Sequence, residues 1–424
     1  MSNPRFRAIE GTRDYFGKDG DRFDKAVAFA GELFARYGYR RMRTPVFENT
    51  ELFARSIGAS TDIVEKEMYT FTPGSETITL RPEGTAGVVR AYLQHSRDKQ
   101  GGLAKFWYEG PMFRRERPQK GRQRQFHQIG AEAIGSGDPL LDAELASMGL
   151  RYYEYIGLMN VKLRVNSIGC SRPECRPLYR QLLRDAIRPN LDRRCRSCQT
   201  RYERNALRII DCKNPECRKL SANLPKSYEN LCRECADHFA AVKEALAALG
   251  GEFVLDHTLV RGLDYYTKTV FEYTHDALGA QNAIGGGGRY DGLAEELGGA
   301  PIPGLGFALG VERILIAMEA ENGCACSCPL QVFGVALGGS ARRAMSGMIA
   351  RCRGAGLSAD MDYEKKSFKS QLRAANRRQA MVCLILGDDE LARGEIVVKD
   401  MAEGGEQKTV SIFDCLNAVR AALP

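Results

Sequence analysis

The chain has 424 residues, of which 44% are apolar and 27% charged, and carries a formal net charge of +8. That length predicts two or three domains with a substantial core, and the composition excludes a disordered chain. No apolar run approaches the roughly 18 residues that mark a membrane span, and MSNPRFRAIEGTRDYF lacks the apolar centre of a secretory signal. A cytoplasmic protein with no membrane partner is therefore expected, and its 14 cysteines are expected to be reduced thiols or metal ligands rather than disulfides. The basic excess permits nucleic-acid binding without requiring it.

In chain order, Phe23, Val27, Ala30 and Phe34 recur at helical spacing between Arg22 and Tyr37. Asp21 is the expected N-cap and Gly38 the expected stop. RRMRTPVFENTELF follows, a strand-like piece that Pro45 confines to an edge or an interface. Strand patterns recur at Lys105 to Tyr108, at Gln125 to Ile134 and around Val161 to Val165. Together they predict an α+β domain on a largely antiparallel sheet.

From about 166 to 250 the chain turns helical and rich in Arg, Lys and Cys, which reads as an insertion within the domain. The sheet resumes with RGLDYYTKTVFEY (Arg261 to Tyr273), a strand pattern opened by an arginine and two tyrosines. GGGGRYDGL (Gly285 to Leu293) follows, and four consecutive glycines imply that backbone passes very close to something. After the CACSCP linker, QVFGVAL, ADMD, AMVCLIL and EIVVK read as strands, with helices at Ala341 to Arg353 and Lys369 to Arg378. This alternation predicts a small α/β domain with a partly parallel sheet.

The densest chemistry lies in FWYEGPMFRRERPQKGRQRQFHQIGAE (Phe106 to Glu132). Six basic residues and a single acid, Glu116, fall between Arg114 and Arg124, in a loop between two strands. Guanidinium forks match phosphate oxygens, so this loop is read as a phosphate binder. GxxxxGK[ST] is missing from the chain, so a P-loop is not indicated. No convincing Ser-His-Asp or Cys-His set appears either, and His127 reads as structural.

The arginine loop resembles the second motif of class II aminoacyl-tRNA synthetases. Tyr39 through Phe47 resembles the first, which usually forms a homodimer interface, and PGLGFALGVERIL (Pro303 to Leu315) resembles the third. With RGLDYYTKTVFEY and GGGGRYDGL, the chain resembles the histidyl-tRNA synthetases along essentially its whole length. The resemblance implies a class II catalytic domain at 1–325, interrupted by the helical Cys-rich insertion at 166–250, and an anticodon-binding domain at 329–424. It implies ATP-dependent ligation of L-histidine to its tRNA through a histidyl-adenylate, with Mg²⁺ accompanying ATP. On that resemblance Arg114 holds the α-phosphate, Phe126 stacks on adenine and Arg313 grips the γ-phosphate end. Glu83 and Thr85 take the α-ammonium of histidine, Gln128 faces the amino acid, and Glu132, Tyr265 and Tyr266 form the imidazole pocket. Arg261, the residue most specific to the family, is placed against the α-phosphate as a catalytic group beside Arg114. A regulatory paralogue of the family typically lacks the arginine motif and the anticodon domain, both of which this chain keeps. The basic insertion and the last domain, with Lys365, Lys366 and Lys369, are the expected tRNA-gripping surfaces.

The insertion also carries four cysteine pairs: Cys170/Cys175, Cys195/Cys198, Cys212/Cys217 and Cys232/Cys235. The two CxxC pairs, Cys195/Cys198 and Cys232/Cys235, are expected to share one tetrahedral structural zinc, with the two CxxxxC pairs as a second set and the pairing left open.

Overall fold

A computed structural model describes residues 6–58, 61, 63–321, 330–364 and 366–423. The CACSCP linker and Lys365 lie outside the described residues. The chain divides into two compact units, Met1–Cys326 and Ser327–Pro424.

The strands of the first unit are β1 (Arg40–Arg41), β2 (Phe47–Asn49), β3 (Tyr69–Phe71), β4 (Ile78–Leu80), β5 (Ala104–Phe113) and β6 (Gln125–Ile134). They continue with β7 (Lys162–Ser167), β8 (Phe253–Leu255), β9 (Thr267–Thr274), β10 (Ala283–Arg289) and β11 (Gly304–Gly310). Eight of them form one sheet in the order β1-β5-β6-β11-β10-β9-β7-β8. The five pairings from β5 through to β7 are all antiparallel, and only the two outermost pairs are parallel. The remaining three make a small sheet, β2-β4-β3. The strand-like piece around Pro45 thus contributes an edge strand to one sheet and an outer strand to another, because proline cannot donate to a ladder.

The first helix spans Gly17–Arg36, five residues longer at its start than the apolar spacing predicts. Phe16, not Asp21, occupies the N-cap, and Asp21 lies inside the first turns. The polar stretch before Phe23 is compatible with helix although it buries nothing in the core. Gly38 behaves as expected, with φ +82° at the helix exit. Ala26, Ala30, Leu33 and Phe34 face inward, and Phe34 meets Trp107, Tyr152 and Phe307. The aromatic centre of this core continues through Tyr153 and Tyr273.

Between β7 and β8 the chain builds the helices Arg176–Ile187, Arg196–Arg204, Leu207–Ile210, Pro215–Ser221 and Arg233–Ala248. Tyr179, Leu183, Ile187, Leu207 and Ile209 give this stretch a small core of its own. Its last helix packs on the helix Pro139–Tyr155 beneath the sheet.

A buried charge cluster fixes that packing. Arg289, fully buried on β10, donates to Asp142 from Nε at 2.9 Å and from Nη2, and to the carbonyls of Ser136 and Asp138 at 2.9 and 3.2 Å. Asp142 also meets His238 Nε2 at 2.9 Å. Burial pushes the Asp142 carboxyl up, but hydrogen bonds and charge from His238 and Arg289 outweigh it and hold the group below its ordinary value.

The second unit has strands β12 (Val332–Leu337), β13 (Ala359–Met361), β14 (Val382–Gly387), β15 (Glu395–Asp400) and β16 (Gln407–Ser411). Their order is β13-β12-β14-β15-β16, parallel for the first three and antiparallel beyond β14. Helices Gly339–Gly354, Phe368–Arg377 and Cys415–Ala422 cover it.

Without Asp142, Arg289 keeps only the partly exposed Asp291, 3.2 Å from its Nη1, as a countercharge. We expect Asp142→Ala to cost the first unit about 3–5 kcal/mol in urea unfolding, and a loss under about 1 kcal/mol would mean that Asp291 alone compensates Arg289.

Candidate active site

The long β5–β6 hairpin presents the arginine loop at one end and, on β6, the alternating positions Phe126, Gln128, Gly130 and Glu132 on a single face. An open cavity of about 220 Å³ lies at the loop end. Arg114, Phe126 and Gln128 line it from the hairpin, Gly285 and Gly286 from β10, and Arg313 from the helix Val311–Ala320; Arg261 completes the wall.

Backbone carbonyls hold Arg114 and Arg313 in place. Arg114 Nε donates to the Pro82 carbonyl at 2.9 Å, and its guanidinium lies 5.2 Å from the Phe126 ring centre. Arg313 Nε donates to the Gly121 carbonyl at 2.9 Å, while burial and the neighbouring Arg122 push it below its ordinary value. Two carboxylates reach the cavity. Glu116 pairs with Arg122 at 3.0 Å, and Glu312 accepts from the His127 backbone at 3.0 Å, from His127 Nδ1 at 2.9 Å and from Tyr15 at 3.1 Å. His127 is thus a structural partner of Glu312.

Arg261 spans the two halves of the site. Its Nη1 lies 3.3 Å from Glu272 Oε2, and its guanidinium sits 5.6 Å from the Tyr266 ring centre. Arg261 Nε and Gln128 Oε1 are buried with no hydrogen-bond partner among the described residues, and both residues line the cavity. Unpaired buried polar atoms are costly, so this pair is the signature of a polar ligand's place.

Beyond Tyr266 lies a buried polar cluster centred on Glu132, which is fully inaccessible. Its Oε1 accepts from Thr85 Oγ1 at 2.7 Å and from Tyr108 at 3.3 Å, and its Oε2 accepts from Tyr290 at 2.6 Å. Burial pushes its carboxyl up to about 8, against the opposing pull of these hydroxyls. Tyr265 completes the cluster, its ring centre 4.7 Å from that of Tyr266 and 5.8 Å from that of Tyr290. Glu83 is also buried and accepts from the Thr85 and Ala86 amides at 2.6 and 2.9 Å, which caps the helix Thr85–Gln94.

Close approach to sheet backbone makes this arrangement possible. A Cβ on Gly286 would stand 2.7 Å from Arg261 Nη1, and one on Gly306 only 1.6 Å from Glu132 Oε2. Across the hairpin, Gly130 opposes Tyr108 and leaves room for its ring.

The structure therefore brings Arg114, Phe126, Gln128, Arg261 and Arg313 around one cavity, and Glu83, Thr85, Glu132, Tyr265 and Tyr266 into one polar cluster. Tyr108 and Tyr290 escaped the sequence reading. Tyr290 belongs to GGGGRYDGL and Tyr108 stands opposite the Gln128–Glu132 face, so two-residue periodicity carried a signal for the second.

The cysteines group differently from expectation. Cys195/Cys198 joins Cys212/Cys217, and Cys232/Cys235 joins Cys170/Cys175. The shared set of Cys195, Cys198, Cys232 and Cys235 is not formed. Cys170 and Cys175 follow β7 where the chain enters the insertion, and Cys232 and Cys235 begin the helix that returns to the sheet. Entry and exit meet each other, which leaves the inner pairs to meet within the insertion's own core.

With this geometry, comparison with known proteins is decisive. The family description "Histidyl-tRNA synthetase" matches residues 11–314, and "Anticodon binding domain" matches residues 331–422. The chain belongs to the histidyl-tRNA synthetase family. It is 48% identical over 406 residues to the histidine–tRNA ligase of Moorella thermoacetica, covering 94% of each chain. It is 46% identical over 416 residues to that of Desulforamulus reducens, covering 97% and 98%. Among solved structures, apo S. aureus histidyl-tRNA synthetase matches with TM-score 0.80 and 35% identity over 99% of this chain and 100% of that one.

The raised value of Glu132 has a thermodynamic sign. The folded chain keeps a proton that the unfolded chain releases near 4.5, so stability is present below that pH and is lost as pH rises through about 8. We expect wild type to lose stability relative to Glu132→Gln across this window, by a few kcal/mol at most. Parallel pH profiles for the two in urea unfolding would show that Glu132 is ionised throughout.

Proposed function

We propose that this chain ligates L-histidine to its cognate tRNA at the expense of ATP, through a histidyl-adenylate, with release of AMP and pyrophosphate. The observation that carries the reading is the joining, through Arg261 stacked on Tyr266, of an arginine-lined cavity to a buried cluster around Glu132. One half suits polyphosphate and the other a small polar side chain.

The histidine carboxylate is itself the nucleophile, so no protein nucleophile is called for. Its attack on the α-phosphorus builds negative charge there and on the departing pyrophosphate. Arg114 and Arg261 lie on the α-phosphate side, and Arg313 meets the far phosphates. Being fixed in advance by the Pro82 and Gly121 carbonyls and by Glu272, these dipoles need little reorganisation during the step. The unpaired Arg261 Nε and Gln128 Oε1 gain partners when substrate arrives. Mg²⁺ travels with the phosphates and commonly takes one or two carboxylates, for which Glu116 and Glu312 line the cavity. Phe126 offers adenine the face that Arg114 does not cover.

For the amino acid, Glu83 and Thr85 stand at the helix start as the ammonium site, while Glu132, Tyr265 and Tyr266 read the imidazole. At neutral pH a protonated Glu132 and a neutral imidazole hold, between them, the proton that a carboxylate–imidazolium pair would share. A tRNA ribose hydroxyl then displaces AMP. The second unit, matched by the anticodon-binding description, is the proposed reader of the tRNA.

Homodimerisation through the Tyr39–Phe47 region is supported by the small sheet, where Phe47 and Phe71 are more than half exposed. No helix of the described residues is long and apolar enough to cross a membrane, and a cytoplasmic location fits the proposed substrate.

ATP–pyrophosphate exchange across a panel of amino acids tests the assignment: exchange with histidine alone is expected, and exchange with another amino acid alone defeats it. Glu132→Ala should lose histidine-dependent exchange by about 10⁴-fold while ATP binding survives, since a site built on hydrogen bonds discriminates on that scale. Arg261→Ala should lower the adenylation rate by about 10²–10³-fold with little change in histidine affinity. Equal losses in rate and affinity would make Arg261 a binding residue only.

A further inference from the structure

Eight thiols of the insertion gather in two groups of four, and within each group all sulfurs lie within 4.8 Å of one another. None is in a disulfide. The Cys170–Cys232 and Cys195–Cys212 sulfurs are each 3.8 Å apart. Four thiolates placed about 2.3 Å from a central zinc in a tetrahedron have edges of about 3.8 Å, whereas a disulfide needs about 2.05 Å.

Backbone amides point at a sulfur in each group. Cys175 Sγ accepts from the Cys170 and Cys232 amides at 3.3 and 3.4 Å, and Cys217 Sγ accepts from the Cys195 amide at 3.2 Å. Cys195 and Cys232 cap the helices Arg196–Arg204 and Arg233–Ala248, so each CxxC pair sits at the positive end of a helix. A further observation concerns charge. Arg194 is buried, and its hydrogen-bond partners among the described residues are all neutral: the Cys217 and Leu220 carbonyls at 3.4 and 3.0 Å and Ser221 Oγ at 2.9 Å. Its Nε has no partner at all among the described residues. A buried cation with no countercharge is expensive, and a zinc bound by four thiolates carries a net charge of −2 right beside it.

We propose that the insertion holds two structural zinc ions in nested tetrathiolate centres, an inner one on Cys195, Cys198, Cys212 and Cys217 and an outer one on Cys170, Cys175, Cys232 and Cys235. The inner centre organises the insertion's own core. The outer centre clamps entry to exit and lies against the histidine-reading segment. Gly169 O accepts from the Lys268 amide at 2.9 Å and from Thr267 Oγ1 at 3.3 Å, and Arg176 Nη1 donates to the Tyr266 carbonyl at 2.8 Å. Loss of the outer metal therefore loosens the support of Tyr266, whereas loss of the inner one does not.

Metal analysis of full-length wild-type protein purified without chelator should find two zinc ions per chain, and cobalt substitution should give the intense absorption of tetrahedral thiolate sites. A zinc content near zero, or iron in its place, overturns the proposal. The pairing is read on the same protein by graded chelation with mapping of alkylated cysteines: each group of four should become reactive as a unit. Joint exposure of Cys195/Cys198 with Cys232/Cys235 refutes the nesting. Cys195→Ser/Cys217→Ser should retain one zinc and normal histidine-dependent exchange, and retention of none refutes separate centres. Cys170→Ser/Cys232→Ser should also retain one zinc but raise the KM for histidine, and an unchanged KM removes the link to Tyr266. Metal content is read independently of activity, so failure of the enzymatic assignment leaves this test intact.

Discussion

Close contact between polar side chains and sheet backbone is the constraint on which the site rests. Arg261 lies against Gly286, Glu132 against Gly306 and the Tyr108 ring against Gly130. A methyl group at any of these would lift the side chain above it, and the three interlock. Displacing Glu132 disturbs the hydroxyls of Thr85, Tyr108 and Tyr290, while lifting Arg261 removes it from Tyr266. The rigidity comes from the antiparallel strands on either side, which hold backbone positions that glycine alone would leave loose.

The same floor explains how opposite electrostatic demands coexist over a short distance. Arg114 and Arg313 are anchored by the carbonyls of Pro82 and Gly121, and Arg261 by Glu272. Around Glu132, burial outweighs the pull of the hydroxyl partners and raises its carboxyl to about 8. On the proposed reading, one region stabilises charge as it forms and the other makes charge depend on the ligand. Arg261 borders both, and its pairing with Glu272 keeps it oriented without placing an acid in the cavity wall.

Much of this was legible in the sequence because its signals are local. Period-two alternation exposed the strands, an arginine-dense turn exposed the arginine-lined cavity, and a glycine run that makes sense only beneath another group marked the floor. What was not legible depends on register and distance along the chain. Tyr108 reaches Glu132 over Gly130, the residue opposite it on β6, and strand pairing fixes that neighbour. Asp21 looked like a cap because capping chemistry is local, yet the preceding residues extend the helix without burying apolar surface. The cysteine grouping resisted because identical CxxC spacing says nothing about which pair lies near which. That depended on where the chain leaves and rejoins the sheet.

The exit from β7 and the return at β8 are neighbours in the sheet, paired in parallel from Leu163 with Phe253 to Val165 with Leu255. The insertion is therefore an overgrown crossover between adjacent strands, and the helix Arg233–Ala248 alone suffices to make that crossing. Apart from the last two residues of β7, every strand of the first unit lies outside it. Since the entropy of closing a loop grows only slowly with its length, this is a place where evolution can lengthen, shorten or re-equip the polypeptide at small thermodynamic expense. The catalytic floor stays as it was, while the crossover beside it is free to change in size and equipment.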